Sequence, residues 1–510
     1  MAVGLDVAAE QADFSAGMFR GIREDLIPPN GAFDITNGLL DNTGAIYRRG
    51  GTSYRSSSAF GSTTLPFIWD GFLGTGSTLQ RTVIGHGTAF GLLNADGSVT
   101  SLGGTGISVP RRAAVMNGVL YLPGGTTYNG ATLGTATKVS DYYAVAGNRL
   151  FAATAPDQID FSDINAPTSY TASDFHRTPD GVQIIGLQGL RDALMVFTTG
   201  GVWVISNLGF DLTDASGNVQ HRIDRYSSDM VLWGDAGIAA YEGGLVVPAL
   251  DGVWVVSLGV ASEAPQAFRR ISDPIAGLYH EYVRNGYSPG GATVYGGHYL
   301  LPIMSGVTCA DVLVCRLDAP GQPWSHLQGF GAKIATFAIR KSATVPRAPA
   351  LIGTSAAGQR VLNLSYFEPP GVSSLDADGS VYTWSVRPRD YPTGPRNRNT
   401  ITGVRISYEL ADDGVAGAPS IRLLQHSGTT GTGVTEWGRF DWGQADWSGT
   451  STAVLMSGEA PVDPFAERPY RWWFAKEERF GRFTLECPSS AAYLTLRSFE
   501  MFVRSNGRRL

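Results

Sequence analysis

Three aspartates at three-residue spacing are the first candidates for chemistry in this chain. They lie in the segment DQIDFSDI as Asp157, Asp160 and Asp163. Glycoside hydrolysis uses a pair of carboxylates that flank the scissile bond, one as the acid and the other as the base or nucleophile. Three acids in one short segment are more typical of an exposed loop than of an active site built from several strands. We therefore predict no catalytic residue here.

The motifs of other enzyme, nucleotide and metal sites are incomplete. The chain has no GxSxG and no HExxH, and after the glycines of 431–433 Glu436 occupies a position where a dinucleotide-binding loop needs glycine. The segment Leu375–Ser380, LDADGS, begins like a calcium loop. The twelfth residue counted from Asp376 is Arg387, however, where a calcium loop requires glutamate. We predict an Asx-Gly turn there, and we expect neither a metal nor a cofactor.

Three tryptophans recur at five-residue spacing in the segment EWGRFDWGQADWSG. They are Trp437, Trp442 and Trp447, and neither helix nor strand periodicity places all three on one face. Tryptophans in a glycine-rich loop pack locally, stack on a sugar, or anchor a protein interface. All three interpretations stay open, and the residues are candidates for an assembly interface.

The composition favours strands joined by turns. Only 16% of the 510 residues are charged and 65 are glycine, against about 25% charged and 7% glycine in an average globular protein. The net charge of −6 argues against a protein that grips nucleic acid, which needs clustered Lys and Arg. An acidic wall along which DNA slides remains compatible with it. The three cysteines, Cys309, Cys315 and Cys487, are predicted to be buried, inert thiols, although a Cys309–Cys315 bridge is an alternative.

The apolar stretches predict no targeting or membrane segment. The first basic residue is Arg20 and no apolar core precedes it, which is unlike a signal peptide. The most apolar stretch, 193–210, is interrupted by Thr, Gly and Asn, whereas a membrane helix needs about 20 mostly apolar residues.

A phrase made of a turn followed by an apolar strand recurs along the middle of the chain. Its spacings are 51, 52, 51, 46 and 52 residues, between centres at Val99, Leu150, Val202, Val253, Tyr299 and Leu351. Short strands that repeat every 40 to 50 residues are typical of a β-propeller. We predict an N-terminal arm or platform segment at 1–59 and a propeller of about five or six blades at 60–370.

The pattern of apolar and polar residues changes after Pro369 and Pro370. Segments such as TGVRISYEL and AYLTLRSFEMFVRS alternate apolar and polar residues, as strands with one wet face do. We predict a β-sandwich-like platform or distal domain at 371–510. The predicted fold class is all-β, a propeller followed by a sandwich-like domain.

Several phrases resemble the tail hub or nozzle proteins (the tail tubular, DNA-stabilisation type) of short-tailed double-stranded DNA bacteriophages. PPNGAFDITNGLLDNTGAIYRRGGTSYR resembles an N-terminal phrase of such virion proteins, although Gly50 stands where the family phrase commonly has proline. YTASDFHRTPDGVQIIGLQGLRDALMVFTTGGVWVISN, residues 170–207, is similar to their propeller core. ISDPIAGLYHEY and RFGRFTLECPSSAAYLTLRSFEMFVR fit the same family.

The resemblance implies a structural virion protein without enzymatic activity. Such proteins form a homo-oligomeric ring, expected to be a hexamer, below the portal and the adaptor or head-to-tail connector. The ring retains packaged DNA and forms the conduit for its ejection, so that double-stranded DNA passes through the lumen without sequence-specific binding. Further expected partners are tail fibres, spikes or a tail needle. The expected location is the virion tail, after assembly in the host cytoplasm.

Within this resemblance, Arg48, Arg49, Gly50 and Gly51 are candidates for an assembly interface. The planar guanidinium binds carboxylates at two points, and glycine permits close backbone approach. We expect the two arginines to clamp carboxylates of a neighbouring subunit or domain, so that the double variant R48A/R49A leaves the monomer folded and impairs assembly. A β-turn carrying two solvated arginines is the alternative.

Two other functions compete with the nozzle. One is a different β-structured virion part, such as a receptor-binding or minor tail protein. A sugar site near the tryptophans would favour it. The other is a propeller glycosidase, whose activity would be lost in Asp160→Asn.

Overall fold

Short strands joined by tight turns make up nearly all of the regular structure. The computed structural model describes residues 6–504, apart from 60–66, 87–88, 105–108, 180, 191, 210–220, 243, 258–267, 341–349, 356–359, 368–374, 393–398, 412–420, 427–451, 459–467, 479, 482 and 488–492. In these ranges the one α-helix is Ala276–Arg284. The short 3-10 turns are Glu24–Leu26, Thr75–Ser77, Pro123–Gly125, Asp235–Gly237, Asp273–Ile275 and Phe330–Ala332.

The chain forms two compact units. The propeller unit contains Ser53–Val312 and Gly331–Leu364, and the two-sheet unit contains Met1–Thr52, Leu313–Phe330 and Ser365–Leu510.

The strands of the propeller unit form seven antiparallel sets, here called blades 1 to 7. Blade 1 is Phe67–Leu73, Leu79–His86, Ala89–Leu93 and Val99–Gly103. Blade 2 is Ala114–Met116, Val119–Leu122, Thr126–Tyr128 and Leu133–Thr135. Blade 3 is Tyr143–Ala146, Arg149–Ala155, Gln158–Phe161 and Phe175–Arg177. Blade 4 is Ile184–Leu190, Ala193–Thr198, Gly201–Ser206 and Arg222–Ser227.

The remaining blades follow the same up-and-down order. Blade 5 is Ala239–Tyr241, Gly244–Ala249, Gly252–Ser257 and Phe268–Arg270. Blade 6 has Ser288–Pro289 and Thr293–Tyr295, both beside His298–Ser305, and then Thr308–Arg316. Blade 7 is Ile334–Arg340, Ala350–Ser355, Val361–Leu364 and, from the other end of the chain, Thr52–Tyr54.

Local sequence explains why the first two strands of a blade turn back so tightly. In blade 2 the turn is Asn117-Gly118, with φ of 50° and 73°. Two-residue hairpin loops of this kind need positive φ at both positions, which asparagine and glycine adopt most readily.

Apolar side chains between neighbouring blades hold the ring together. First strands of neighbouring blades contact one another, as Phe67–Leu73 of blade 1 and Ile334–Arg340 of blade 7 do, so the first strands line the axis. Ile84 of blade 1 and Ile352 of blade 7 are fully buried in one apolar cluster. Burying a side chain of this size contributes about 1.5–3 kcal/mol. The ring is therefore closed by side-chain packing as well as by the strand Thr52–Tyr54.

The propeller predicted from the repeated phrase is confirmed, and its blades number seven within the described residues where about five or six were expected. The phrase occupies different places in different blades. Val99 begins a fourth strand, Leu150 lies in a second strand, and Val202 and Val253 lie in third strands. The nearly constant spacing therefore does not mark equivalent positions of successive blades, and it passes over the short blade 2, which lies between Val99 and Leu150.

The two-sheet unit contains the strands that were predicted to form a sandwich. In order, the first sheet is Gly38–Leu40, Ile46–Arg48, Tyr493–Arg504, Asn399–Ala411 and Arg468–Glu478, with Asp6–Gln11 also beside Tyr493–Arg504. The second sheet contains Trp324–Leu327, Gly31–Thr36, Trp384–Pro388, Phe483–Cys487, Ile421–His426 and Thr452–Gly458, with Gly17–Met18 beside Gly31–Thr36. A further strand pair is Tyr391–Pro392 with Phe480–Gly481.

Aromatic side chains join the two sheets face to face. Phe499 of the first sheet lies 5.8 Å from Phe483 of the second, between ring centroids. Tyr391 stacks on Phe499 at 5.4 Å with its ring nearly parallel. Such pairs contribute about 0.5–1.5 kcal/mol beyond the area they bury. Each of the two sheets contains strands from before residue 53 and strands from after residue 383. The domain segments 1–59, 60–370 and 371–510 stay a prediction.

Candidate functional site

The guanidinium of Arg49 is enclosed within the two-sheet unit. Its Nη1 and Nη2 donate to Oδ1 and Oδ2 of Asp376, both at 2.9 Å, and neither side chain is exposed to solvent. Its Nε donates to Oδ1 of Asn37 at 3.0 Å, and Nη2 also reaches the carbonyl oxygen of Gln328 at 3.3 Å. This two-point, charge-assisted geometry is the strongest form of an arginine–carboxylate pair.

Tyr382 lies against both arginines. The guanidinium carbons of Arg49 and Arg48 lie 3.6 and 4.4 Å from the centre of its ring. Nη2 of Arg48 donates to the carbonyl oxygen of Tyr382 at 2.8 Å, and the Tyr382 hydroxyl donates to the carbonyl oxygen of Arg49. A cation on a desolvated aromatic face gains roughly 2 kcal/mol. We call Arg48, Arg49, Asp376 and Tyr382 the arginine lock.

The buried surroundings of the lock shift the pKa values of Arg49 and Tyr382. Burial, the largest single effect, lowers the pKa of Arg49, but the charge and hydrogen bonds of Asp376 together with the nearby tyrosines Tyr382 and Tyr366 raise it by more, so that the net pKa lies above its ordinary value. Burial raises the pKa of Tyr382 against the opposing effect of the two arginines. At neutral pH the lock therefore holds an ionised Arg49 and a neutral phenol.

The two glycines that follow the arginines lie against a neighbouring chain segment. The N–H of Gly50 donates to the carbonyl oxygen of Tyr366 at 3.2 Å, and the N–H of Ser365 donates to the carbonyl oxygen of Gly51 at 3.1 Å. A Cβ added to Gly50 would lie 2.0 Å from the carbonyl oxygen of Ser365. The close backbone approach expected of these glycines is therefore present within the chain.

The partner of Arg49 sits in the turn predicted from LDADGS. The N–H of Asp376 donates to the carbonyl oxygen of Ser380 at 3.0 Å, and Gly379 donates back to Asp376 at 2.8 Å. The N–H of Ser380 also donates to Oδ1 of Asp378 at 2.9 Å, which is the Asx geometry typical of such turns. Sequence reasoning identified the turn and missed the ion pair, because 327 residues separate the two partners.

These contacts decide part of the prediction for residues 48–51. Arg48 and Arg49 are buried, at 6% and 1% exposure, so the alternative of two solvated arginines is wrong. The carboxylate that Arg49 binds belongs to its own chain. The role of Arg48, Arg49, Gly50 and Gly51 in an assembly interface stays a prediction.

The three aspartates of DQIDFSDI each have a different local partner. Asp157 forms an ion pair with Arg177 at 2.9 Å. Asp160 is buried and pairs with Lys138 at 3.2 Å, while Asp163 accepts a hydrogen bond from Ser169. Asp160 lies within the third strand of blade 3, so the expectation of one exposed loop holds only in part. Each carboxylate is occupied by a structural contact.

The other candidates are distributed as follows. Trp437, Trp442 and Trp447 lie outside the described residues. Cys309, Cys315 and Cys487 are buried and form no disulfide with one another, as predicted, and burial raises the pKa of Cys309 to about 12. In the part of the chain that the structure covers, no group of three or more His, Cys, Asp or Glu is placed to hold a metal ion. Within the same part, no helix is long and apolar enough to cross a membrane.

Comparison with known proteins gives no family for this chain. No family model matches it, and no curated protein matches it. Among solved structures, Raptor of Chaetomium thermophilum is similar with a TM-score of 0.42 and 11% identity, over 63% of this chain and 29% of that one. PorZ of Porphyromonas gingivalis has a TM-score of 0.26 and 12% identity, over 61% and 50%. BamB from Moraxella catarrhalis has a TM-score of 0.35 and 11% identity, over 72% and 98%.

The chain thus spans less than two thirds of the Raptor and PorZ chains. Similarities this distant give no information about the function of this chain.

Proposed function

We propose that this protein is a structural component of a virion, the nozzle or hub of a short-tailed double-stranded DNA bacteriophage. It forms a ring below the portal and adaptor, retains the packaged DNA and forms the conduit for ejection. The ring is a homo-oligomer, expected to be a hexamer, and fibres, spikes or a needle attach to it. The protein acts by shape and charge and catalyses no reaction.

The observation that carries the proposal is where the family-like phrases fall in the fold. The phrase that ends in YRRGGTSYR supplies Arg48 and Arg49 of the lock and the strand Thr52–Tyr54 of blade 7. The phrase at 170–207 supplies the last strand of blade 3 and the first three strands of blade 4. The resemblance therefore falls on residues that hold the architecture together.

Charge and symmetry also support the proposal. A ring of identical subunits needs two different, complementary faces on each copy, and a chain of two unlike β units offers unlike faces. A net charge of −6 per chain is compatible with a lumen past which DNA slides, because an acidic wall repels phosphate.

The test is the position of the protein in a particle. An antibody raised against the recombinant chain and conjugated to gold is applied to particles released by cells that carry this sequence. We expect gold at a single vertex, at the tail, whereas an antibody against the capsid labels the whole shell and pre-immune serum labels nothing. A cryo-EM map of the labelled vertex should then show a six-fold ring next to the adaptor.

The proposal fails if intact and opened particles carry no gold while an immunoblot detects the protein in the lysate. In that case a cellular role is indicated, and hydrolysis of glycans with Asp160→Asn as the control becomes the next assay.

A further inference from the structure

An ion pair spans the axis of the propeller. Nη1 of Arg111 lies 3.0 Å from Oδ1 of Asp235. Arg111 precedes the first strand of blade 2, and Asp235 precedes the first strand of blade 5. Blades that are not neighbours meet only where the first strands converge. The pair therefore lies at the centre of one face of the ring.

The buried part of this cluster carries one more positive than negative charge. Asp235 is 4% exposed. It accepts from the guanidinium of Arg111 and from the backbone N–H of Arg112. Nη1 of Arg112 is buried and has no hydrogen-bond partner among the described residues. Burial lowers the pKa of Arg112 more than the charge of Asp235 raises it. Two guanidiniums thus lie near one buried carboxylate, which only Arg111 binds through its side chain, and a buried charge without full compensation is costly.

Arg111 is the member of this cluster that reaches solvent. Its side chain is 26% exposed, and its guanidinium lies 5.0 Å from the ring centre of Tyr142 in the segment before blade 3. Asp235 accepts through one nitrogen of the fork. The donors on its other edge have no partner among the described residues, and they are free for a second carboxylate. Asp141, exposed beside Tyr142, is the further acid that acts on Arg111.

Apolar side chains are exposed at the same end of the blades as the cluster. Val109, two residues before Arg111, is 47% exposed, Val139 is 59% exposed, and Leu250 is 43% exposed. Val109 and Val139 precede first strands, and Leu250 lies between the second and third strands of blade 5. In an antiparallel blade these two positions lie at the same end, because the second strand returns to where the first began. We call Val109, Arg111, Val139, Tyr142 and Leu250 the axial face.

We propose that the axial face binds a segment of a partner protein that places an Asp or Glu carboxylate on Arg111. The apolar residues on either side of that acid pack against Val109, Val139 and Leu250. Arginine binds carboxylates at two points, and an anchored charge within an apolar rim is typical of the residues that carry binding energy in interfaces. The proposal concerns the propeller alone and does not rest on the proposed virion role.

The test uses the full chain and two fluorescent peptides that differ in one group. Each peptide has two valines on either side of a central residue, which is Glu in one and Gln in the other. We expect the Glu peptide to bind at least about tenfold more tightly by fluorescence anisotropy at low salt, a difference of 1.4 kcal/mol. Arg111→Gln should remove this preference, whereas R111K, which keeps the charge without the fork, should reduce it. Asp141→Asn should strengthen binding of the Glu peptide.

The controls separate the site from the general charge of the chain. Arg222, with a side chain 61% exposed and paired with Asp224, is changed to Gln, and the preference for Glu should persist. Val139→Ser should weaken the binding of the Glu peptide and of the Gln peptide by a similar factor. Circular dichroism checks that each variant is folded.

Three outcomes overturn the proposal. The Glu and Gln peptides bind equally; the preference survives in folded R111Q; or inorganic phosphate or a short DNA duplex displaces the peptide and itself binds more tightly than the Glu peptide. The last outcome would assign the face to phosphate groups instead of to a protein carboxylate.

Discussion

Arg49 and Asp376 stand 327 residues apart in the sequence and form a two-point ion pair, with both N–O distances at 2.9 Å and neither side chain exposed. An ion pair without solvent contact is costly to half-remove, because the charge left behind has neither water nor a partner. The lock is therefore a place where single substitutions have large effects.

Asp376→Asn is expected to lower the free energy of unfolding of the two-sheet unit by about 3–5 kcal/mol, since it strands the buried guanidinium of Arg49. Urea unfolding followed by tryptophan fluorescence measures the change. The matched control is Asp378→Asn, which alters an exposed acid of the same turn and should cost less than about 1 kcal/mol. Equal effects of the two substitutions would contradict the lock.

Replacing both partners should cost less than the two single changes together. Arg49→Met and Asp376→Leu each leave one buried charge, whereas the double variant leaves none. The coupling energy from a double-mutant cycle in urea is expected to exceed about 2 kcal/mol. Additive losses would mean that the ion pair contributes nothing specific. The same burial changes what we expect of R48A/R49A, which should destabilise the monomer as well as any assembly.

Gly50→Ala is expected to destabilise the chain by roughly 1–3 kcal/mol, the usual cost of overpacking. The added Cβ would lie 2.0 Å from the carbonyl oxygen of Ser365, so the backbone must move. Gly209→Ala is the control, because nothing lies within 4 Å of its Cβ position. The midpoints of urea unfolding are compared, and a wild-type midpoint for the Gly50 variant would show that the approach of the two segments is loose.

A histidine pair between blades 3 and 4 predicts a loss of stability in mild acid. Nε2 of His176 lies 2.8 Å from Nδ1 of His221, and burial together with the charge of Arg149 lowers the pKa of His176 to about 4. In the unfolded chain the value is about 6.5, so the unfolded state takes up the proton first as the pH falls. The contribution is complete above pH 6.5 and is lost as the pH falls to about 4.

Each unit of difference in pKa corresponds to about 1.4 kcal/mol, so the loss between these pH values is roughly 3 kcal/mol. Urea unfolding at pH 7, 5.5 and 4.5 measures it. His176→Gln should flatten this dependence, and an unchanged slope in that variant would assign the acid sensitivity to other groups.

The sequence predicts the repeating strands and turns of the propeller better than it predicts the number of blades or the strand pairing that closes the ring. Strand-and-turn phrases revealed the propeller because each blade is built from local hairpins such as the one at Asn117-Gly118. The phrase could not number the blades, since it falls on second, third and fourth strands alike. Nothing near Thr52–Tyr54 indicates that its partner is Val361–Leu364, because pairing over such a separation leaves no local pattern.

The candidate site shows the same division. The types and order of Arg48, Arg49, Gly50 and Gly51 predicted arginines that clamp carboxylates of a neighbouring subunit or domain, and a close backbone approach. Within the chain Arg49 binds a carboxylate, Arg48 binds the carbonyl oxygen of Tyr382, and the close approach at Gly50 is present. The identity of the clamped acid was hidden, since Asp376 has the sequence context of an ordinary turn residue. Likewise Arg111 and Asp235 meet only because the ring brings blades 2 and 5 to one axis.

The strand Thr52–Tyr54, which completes blade 7, also means that the propeller can close only after its last blade has been synthesised. It emerges about 300 residues before Val361–Leu364, the strand with which it pairs. At the usual speed of synthesis of 5–20 residues per second, this interval lasts roughly 15–60 s. Throughout that time the nascent chain carries an unpaired strand together with a growing, open arc of blades. The incomplete chain therefore exposes two surfaces that can aggregate, the unpaired strand and the open edge of the last blade made. Chaperones or slow translation of the last blade would affect the yield of this protein more than that of a protein whose strands pair as they are synthesised.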